Sequence, residues 1–393
     1  MLSVAEALNR ILALAPTPQL ETVPIFNAAG RVLLHHLTAG RSQPPFAASA
    51  MDGYAARAKD LADGAVLDVV GESAAGGSWS GTIGPKQALR IFTGAPVPAG
   101  ADTIVIQEDV TATDGHITLG TNRDTASYIR RAGGDFAAGQ VFVAPKRLNP
   151  QHIALLAAMN HAQIPVARRP IVALVPTGNE LVNVGDTAGP SQIISSNNLG
   201  LQAMIEAAGG RARLLPIAPD TRDGLRATLE QCAGADLIIT LGGASVGDHD
   251  LVATVGQEAG LALDFYKIAM RPGKPLMAGR LNGTPMLGLP GNPVSSMVCG
   301  YVFVLPLLRA MLGLPPIAQT IKLPLAHALP ANSTRTHYMR ANLRDGLVHV
   351  QTRQDSSLLS VLADSDCLAI QPASDPGMPQ GALIEVLSLS TIS

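Results

Sequence analysis

The sequence predicts a multidomain α/β plus β protein, and three observations predict it. Between residues 169 and 316, apolar runs such as IVALV and DLIITLGG alternate with helical stretches, the pattern of a parallel sheet covered on both faces. Residues 46–136 and the stretch after Pro315 carry short alternating segments (LDVVGES, DTIVIQEDV, HYMRANL, LVHVQTR) cut by Gly, Pro and Asp, as β-rich units do. The length of 393 residues exceeds what one hydrophobic core ordinarily organises. The expected division is an N-terminal region of 1–45 with 137–168, an inserted β-rich domain of 46–136, a central α/β domain of 169–316 and a C-terminal β-domain of 317–393. The last is expected to be a small β-barrel, with a sandwich as the alternative.

Individual elements follow from local chemistry. Ser3 and Glu6 form a capping-box pair opening an amphipathic N-terminal helix. Asn149 is an N-cap with Pro150 at the first helical position. SNNLGLQAMIEAAGG reads as a helix closed by glycines, Thr221–Cys232 as a second helix, and a further helix opens near Pro293 after the strand in PMLGLPGNP. Met297–Leu314 is apolar but contains Pro306 and Arg309. At marginal length for crossing a bilayer, it is expected to be a buried core helix. Ligands of such a sheet bind beyond the carboxyl ends of its strands.

Composition excludes several classes. The net charge of -2, from 28 basic and 30 acidic residues, leaves no cationic footprint for nucleic acid. Cys232, Cys299 and Cys367 are far apart and odd in number, which argues against a disulfide framework or zinc knuckle and fits a reducing compartment. They are expected as small buried apolar groups. The N-terminal MLSVAEALNRILALA has no basic n-region and is interrupted by Glu6 and Arg10, so no secretory signal is expected and the cytoplasm is the expected location.

Several loops could carry chemistry. LGGASVGDHD (241–250) follows a buried strand: Gly242 and Gly243 let backbone amides approach a phosphate, Ser245 adds a hydroxyl, and Asp248 and Asp250 could present a carboxylate to magnesium. A capped glycine turn is the plain alternative. Neither a P-loop nor a G-x-G-x-x-G fingerprint occurs. In YKIAMRPGKPL, Lys267, Arg271 and Lys274 crowd around Pro272 and Gly273, and a proline-stiffened cationic loop suits an oxyanion or pyrophosphate, with a solvated basic turn as the plain alternative. LPGNPVSS (289–296) ends a strand and opens a helix whose N-terminus is an anion site, unless it is merely a connector. TGNE (177–180) could offer Glu180 to a metal or a sugar hydroxyl. In the N-terminal half stand Asp52 in a turn (PPFAASAMDGYA), Thr93 in a Pro/Gly-rich loop, and YIRRAGGD, where Arg130 and Arg131 could simply pair with Asp135 at the surface. Three glycine or cationic loops within one parallel-sheet unit point jointly to a phosphate-rich ligand with a metal. The nine histidines show no metal-ligand spacing.

The ordered set SAMDGYA, TGAPVPAGADTIV, RRAGGDF, PTGNEL, SSNNLGL, GGASVGDHD, MRPGKP and LPGNPVS resembles the molybdopterin molybdenumtransferase family, which includes the C-terminal domain of gephyrin. The resemblance covers nearly the whole chain and is thinnest after residue 320. It implies a central α/β domain of the molybdopterin-binding type, flanked by the inserted β-rich domain and the C-terminal β-barrel. It implies a homodimer whose cleft joins the β-rich domain of one subunit to the α/β and C-terminal domains of the other. The implied reaction inserts molybdate into the dithiolene of adenylylated molybdopterin, with Mg2+-dependent release of AMP. Carried over motif by motif, Asp52, Thr93, Arg130, Asp135, Glu180, Asp220, Lys267, Arg271 and Lys274 are its catalytic candidates. Gly242, Gly243, Ser245, Asn197, Pro290, Pro293, Ser295, Arg340 and Ser357 are its binding candidates, and Asp250 with Glu180 its metal candidates. Arg271 stands where some members have Lys; it keeps the charge and offers a planar fork. Implied partners are the upstream adenylyltransferase and recipient molybdoenzymes, with no nucleic acid or membrane. The rival readings are the adenylyltransferase of the same pathway, disfavoured by the β-domains and by GGAS where that relative typically shows GGTG, and a gephyrin-like scaffold.

Overall fold

Six strands build the central sheet, in the order Arg211–Leu214, Ile171–Pro176, Leu237–Leu241, Thr284–Leu289, Met277–Leu281, Leu261–Tyr266. The first four run parallel. Their apolar runs are nearly continuous because helices cover the sheet: Leu174, Ile239 and Leu287 share one core with Leu201, Val298 and Phe303, while Ala173, Val175 and Ile238 face Leu225, Leu229 and Val255. The last two strands are antiparallel, which corrects the expectation of an all-parallel sheet. The cause is local: Asn282 (φ 48°) and Gly283 (φ 86°) make a two-residue turn between Met277–Leu281 and Thr284–Leu289, the pairing that an Asn-Gly dipeptide favours.

The computed structural model describes residues 1–242, 251–316 and 320–390. Contacts divide the chain into two units, one of Met1–Glu21, Gly30–Leu34 and Val166–Ser393, the other of Thr22–Ala29 and His35–Pro165. In the larger unit, helix Val4–Leu12 carries the Ser3/Glu6 capping box. Helix Asn197–Ala207 is followed by Gly209 at φ 98°, and Thr221 caps Arg222–Glu230. The segment Pro293–Met311 is the one helix among the described residues long and apolar enough to cross a membrane, and 72% of its apolar window is buried inside the protein, as expected of a core helix. Its middle, Gly300–Val304, winds as a π-helix, next to Pro306, which has no N–H to return to the preceding turn.

The C-terminal sheet runs Met270–Arg271, Thr336–Arg344, Cys367–Gln371, Leu383–Ser388, Thr320–Pro324, with Leu347–Val350 on the Thr336–Arg344 strand. Just beyond Pro324, Leu325 bridges Val348, and the Ala326 amide donates to the Val348 carbonyl at 2.9 Å, so the two ends of this sheet meet. Tyr338, Leu362, Leu368 and Leu387 join the core under the central sheet. The strand Thr320–Pro324 and helix Leu359–Ala363 were not anticipated; both are too short for a period to register.

The smaller unit holds a six-stranded sheet in the order Thr103–Ile106, Gly53–Ala56, Gln87–Ile91, Val66–Ser73, His116–Leu119, Val110–Thr113. It also contains helix Pro150–Ala158, capped by Asn149 with Pro150 at its start. All three cysteines are free and buried. Burial raises the thiol of Cys299 to about 12 and those of Cys232 and Cys367 to about 11, so they stay protonated and unreactive at neutral pH.

His337, on the strand Thr336–Arg344, is 8% exposed, with no hydrogen-bond partner on Nε2. Burial first, then the charges of Arg271, Arg340 and Arg335, lower it from 6.5 to about 4. Because the folded value lies below the unfolded one, its contribution to stability is whole above pH 6.5 and is lost as the pH falls toward 4, where only the unfolded chain takes up the proton. His337→Gln should therefore show a shallower loss of urea midpoint across that window than the parent chain; parallel curves would contradict this.

Candidate functional site

The polar pocket of the larger unit lies where the chain reverses direction across the sheet. From Ile171–Pro176 it crosses to Arg211–Leu214 on one side, then to Leu237–Leu241 on the other, and such a switch point opens a crevice at the strands' carboxyl ends. The strand ends are tied to one another. Thr177 donates its amide (2.9 Å) and hydroxyl (3.3 Å) to the Leu241 carbonyl, and the Gly242 amide donates to the Leu289 carbonyl at 3.2 Å. Gly242 sits at φ 96°, and a Cβ there would lie 2.8 Å from the Thr177 carbonyl oxygen, so a side chain is excluded. The resulting cavity of about 680 Å3 is lined by Thr177, Glu180, Asn197, Gly242, Pro290, Gly291, Pro293 and Ser357, among others, a size that suits a small-molecule ligand.

Each wall has its own support. Asn197 opens helix Asn197–Ala207 and its Nδ2 donates to the Gly291 carbonyl at 2.7 Å, joining the SSNN and PGNP loops. In the latter, the Ser296 hydroxyl donates to the Pro290 carbonyl. The Val294 amide, one of the first-turn donors of helix Pro293–Cys299, goes to the Ser356 carbonyl at 3.1 Å. Ser356 Oγ accepts from Asn292 Nδ2 at 3.2 Å. Ser357 is fixed by its amide (2.8 Å) and hydroxyl (2.6 Å) donating to Asp355, which holds that carboxyl below the usual range.

Not every expected residue lines the cavity. Asp220 accepts the Asn179 amide at 3.2 Å, and its own amide donates to Asn179 Oδ1 at 3.1 Å, so it braces the TGNE loop that carries Glu180. Ser295 is buried behind the lining. Arg340 is 0% exposed and donates Nη2 to the carbonyls of Arg353 (3.2 Å) and Asp355 (2.9 Å). It supports the loop bearing Ser357 from beneath. Lys267, Arg271 and Lys274 lie close along the chain, with Arg271 on the short strand Met270–Arg271 rather than in a loop, and none of the three lines the cavity. The Lys274 carbonyl accepts from the amides of Ile268 and Leu276, Arg271 pairs in register with His337, and Lys267 lies over the Tyr266 ring at 5.4 Å. Pro275, next to Lys274, lines the cavity. Gly243, Ser245, Asp248 and Asp250 lie outside the described residues.

The remaining candidates sit in the smaller unit. Asp52 Oδ1 accepts the Thr93 amide (2.7 Å) and hydroxyl (2.8 Å). These bonds, with a smaller pull from Arg90, hold its carboxyl below the usual range. Arg90 escaped the sequence reading. Its guanidinium lies 5.0 Å from the Tyr54 ring and 4.9 Å from the Phe92 ring, and it donates to Gln107 at 2.7 Å. The one available signal was a cation inside an alternating strand. Arg130 pairs in register with Ala48, and the Asp135 amide donates to the Gln43 carbonyl at 3.0 Å. Among the described residues no ion pair joins Arg130 or Arg131 to Asp135, so that plain explanation of the motif fails.

Magnesium would have to find hard oxygen donors. The cavity offers the Glu180 carboxylate and the Thr177 and Ser357 hydroxyls, and no group of three or more His, Cys, Asp or Glu among the described residues could cage a metal. One carboxylate with ligand oxygens and water completing the shell is how magnesium is commonly bound at phosphates, so the residues fit that ion.

Three family models match the chain: "MoeA N-terminal region (domain I and II)" over residues 2–160, "Probable molybdopterin binding domain" over 173–310, and "MoeA C-terminal region (domain IV)" over 322–389. A molybdopterin molybdenumtransferase of Nostoc sp. is 34% identical across 99% of this chain and 94% of its own length. The Haemophilus influenzae enzyme of that name is 33% identical across 94% of each. A solved molybdopterin biosynthesis moeA protein from Pyrococcus horikoshii superposes with a TM-score of 0.86 at 29% identity, over 100% of both chains.

Replacing Thr93 with Val removes one of the two donors to Asp52 and leaves the amide. The Asp52 carboxyl should then titrate at higher pH, read by carbon-detected NMR. An unmoved titration would show that the hydroxyl contributes nothing.

Proposed function

This chain belongs to the molybdopterin molybdenumtransferase family, and we propose that the pocket at the strand ends is where its adenylylated substrate meets molybdate. The chain is a transferase of molybdenum-cofactor biosynthesis, with molybdopterin and molybdate as its substrates. The matches to residues 2–160 and 322–389 flank the central domain on both sides and favour this activity over adenylylation. The observation that carries the pocket assignment is the convergence of Glu180, Gly242, Asn197 and the Pro290–Pro293 turn on one cavity.

The proposed division of labour follows from the chemistry of each wall. Gly242, where the missing side chain keeps the pocket open while its amide holds the Leu289 carbonyl, and the turn at Pro293 would form the wall against the pyrophosphate, with Gly243 and Ser245 next in sequence. Glu180 and Asp250 would hold Mg2+, whose charge would offset that of the phosphoanhydride and favour AMP as leaving group. Asp220 keeps the Glu180 loop in place. Lys274 and Arg271 attract the molybdate dianion, with Lys267 adding positive potential. The two thiolate sulfurs that bond molybdenum belong to the substrate: the protein's own thiols are buried and protonated, so soft ligation comes from the dithiolene. Two oxo groups leave molybdenum as water after taking up protons, and water adds at phosphorus to release AMP. Arg340 positions Ser357 against the ligand.

We further propose domain boundaries of 46–136 for the inserted β-rich domain, 169–316 for the α/β domain and 317–393 for the C-terminal domain, with 1–45 and 137–168 as the remaining region. The bridge between Leu325 and Val348 supports a barrel for the C-terminal domain. Asp52, Thr93, Arg130 and Asp135 would reach the substrate from the partner subunit of a homodimer working in the cytoplasm, alongside an upstream adenylyltransferase and recipient molybdoenzymes.

Supplying adenylylated molybdopterin, Mg2+ and molybdate, then measuring AMP and active cofactor together, tests the reading directly. Lys274→Ala should raise the molybdate concentration at half-saturation by about tenfold, the loss of one charge-assisted contact, while adenylylated-pterin binding persists; an unaltered molybdate dependence refutes the assignment. Asp250→Asn should keep the fold and lose Mg2+-dependent AMP release, and unchanged release removes Asp250 from the metal site.

A further inference from the structure

We propose that a second, apolar hollow beside the polar pocket receives the purine base of the adenylylated substrate, a subsite that rests on the function proposed above. The two hollows meet at Ser196 and Asn197, which line both. The second has a volume of about 470 Å3, and its floor is built from Met297, Tyr301, Leu359 and Leu362. These come from the long core helix and from the short helix Leu359–Ala363, both within the larger unit.

The chemistry of this hollow complements that of its neighbour. The polar pocket offers hydroxyl and amide groups to a phosphate and the Glu180 carboxylate to its cation, whereas this one offers apolar surface with polar groups at its edge. A ligand carrying a pyrophosphate between two ring systems needs both, side by side. Aromatic, thioether and branched side chains suit the faces of a flat heterocycle. Tyr301 lies in the π-helical turn Gly300–Val304, and its hydroxyl donates to the Leu389 carbonyl at 3.3 Å, which pins the ring in place. π-helical turns occur frequently at functional sites.

The edge favours a purine over the pterin. A pterin presents an amide and an amine that call for both oxygens of one carboxylate, and at this edge Asp366 has its Oδ2 already accepting from the Leu343 amide (2.9 Å) and from Asn342 Nδ2 (3.4 Å), which leaves Oδ1 for a single donor. An adenine amine needs one acceptor. The Ser365 hydroxyl donates to the Val361 carbonyl at 2.6 Å and so keeps its own lone pairs available.

AMP and inorganic pyrophosphate are the probes, titrated calorimetrically into the full chain and into two variants. Ala363 is exposed and lines the hollow, so Ala363→Trp should fill it and weaken AMP by about tenfold or more, the scale of one lost base-stacking contact, with pyrophosphate affinity unchanged. Leu359→Glu places a negative charge on the floor without bulk and should act in the same direction. Photolabelling with 8-azido-AMP should mark peptides spanning 293–311 or 359–366. Unchanged AMP affinity in both variants, or label elsewhere, overturns the subsite and leaves the transferase reading standing. Loss of both probes in both variants overturns the separation of the two hollows. Protection of the labelled peptides by a free pterin reassigns the hollow and overturns the purine. Failure of the parent chain to bind either probe removes the subsite together with the adenylylated-substrate reading.

Discussion

The pocket depends on how the strand ends are held to one another. Thr177 gives both of its donors to the Leu241 carbonyl, and Gly242 gives its amide to the Leu289 carbonyl. These bonds span three neighbouring strands just where regular pairing stops. Buried backbone groups at that depth need partners, and here the partners are the last carbonyls of the neighbouring strands. The TGNE loop, the Leu241–Gly242 strand end and the PGNP turn are therefore held in common. A Cβ on Gly242 would strike the Thr177 carbonyl and disturb all of them together.

Around that lock, the rest of the larger unit supplies walls. Helix Asn197–Ala207 reaches Gly291 through one amide, and the C-terminal sheet reaches helix Pro293–Cys299 through Ser356. Arg340 links the two levels: fully buried on a C-terminal strand, it spends Nη2 on the carbonyls just before Ser356 and Ser357. A charge so deep would be costly without those carbonyls. It also explains why a residue more than forty positions beyond the PGNP loop bears on the geometry at that loop.

Much of the fold was legible because its cues are local. The Ser3/Glu6 box, the Asn149-Pro150 start and the Thr221 cap act within one helical turn. Buried parallel strands announce themselves by continuous apolar runs, and the motif loops at their ends fall where ligands bind such sheets. The reversed strand Met277–Leu281 was missed although Asn282-Gly283 marked its turn into Thr284–Leu289, because the surrounding βα rhythm outweighed a two-residue signal. Arg90, close to Asp52, was invisible for a different reason: its partner Tyr54 lies on another strand and Gln107 in the 3-10 turn Gln107–Asp109.

By itself, the sequence determined the family, the kinds of element and the residue types offered to an anionic ligand, since capping, periodicity and motif order are written within short stretches of chain. Only the tertiary structure decided which of those residues share a cavity. Glu180, Asn197, Gly242, Pro290, Pro293 and Ser357 meet there, while Asp220 and Arg340 brace the loops that carry Glu180 and Ser357 and Ser295 is buried. The difference is physical: whether a polar side chain faces ligand or braces a loop depends on carbonyls brought near by packing of distant segments, and no local pattern encodes that proximity.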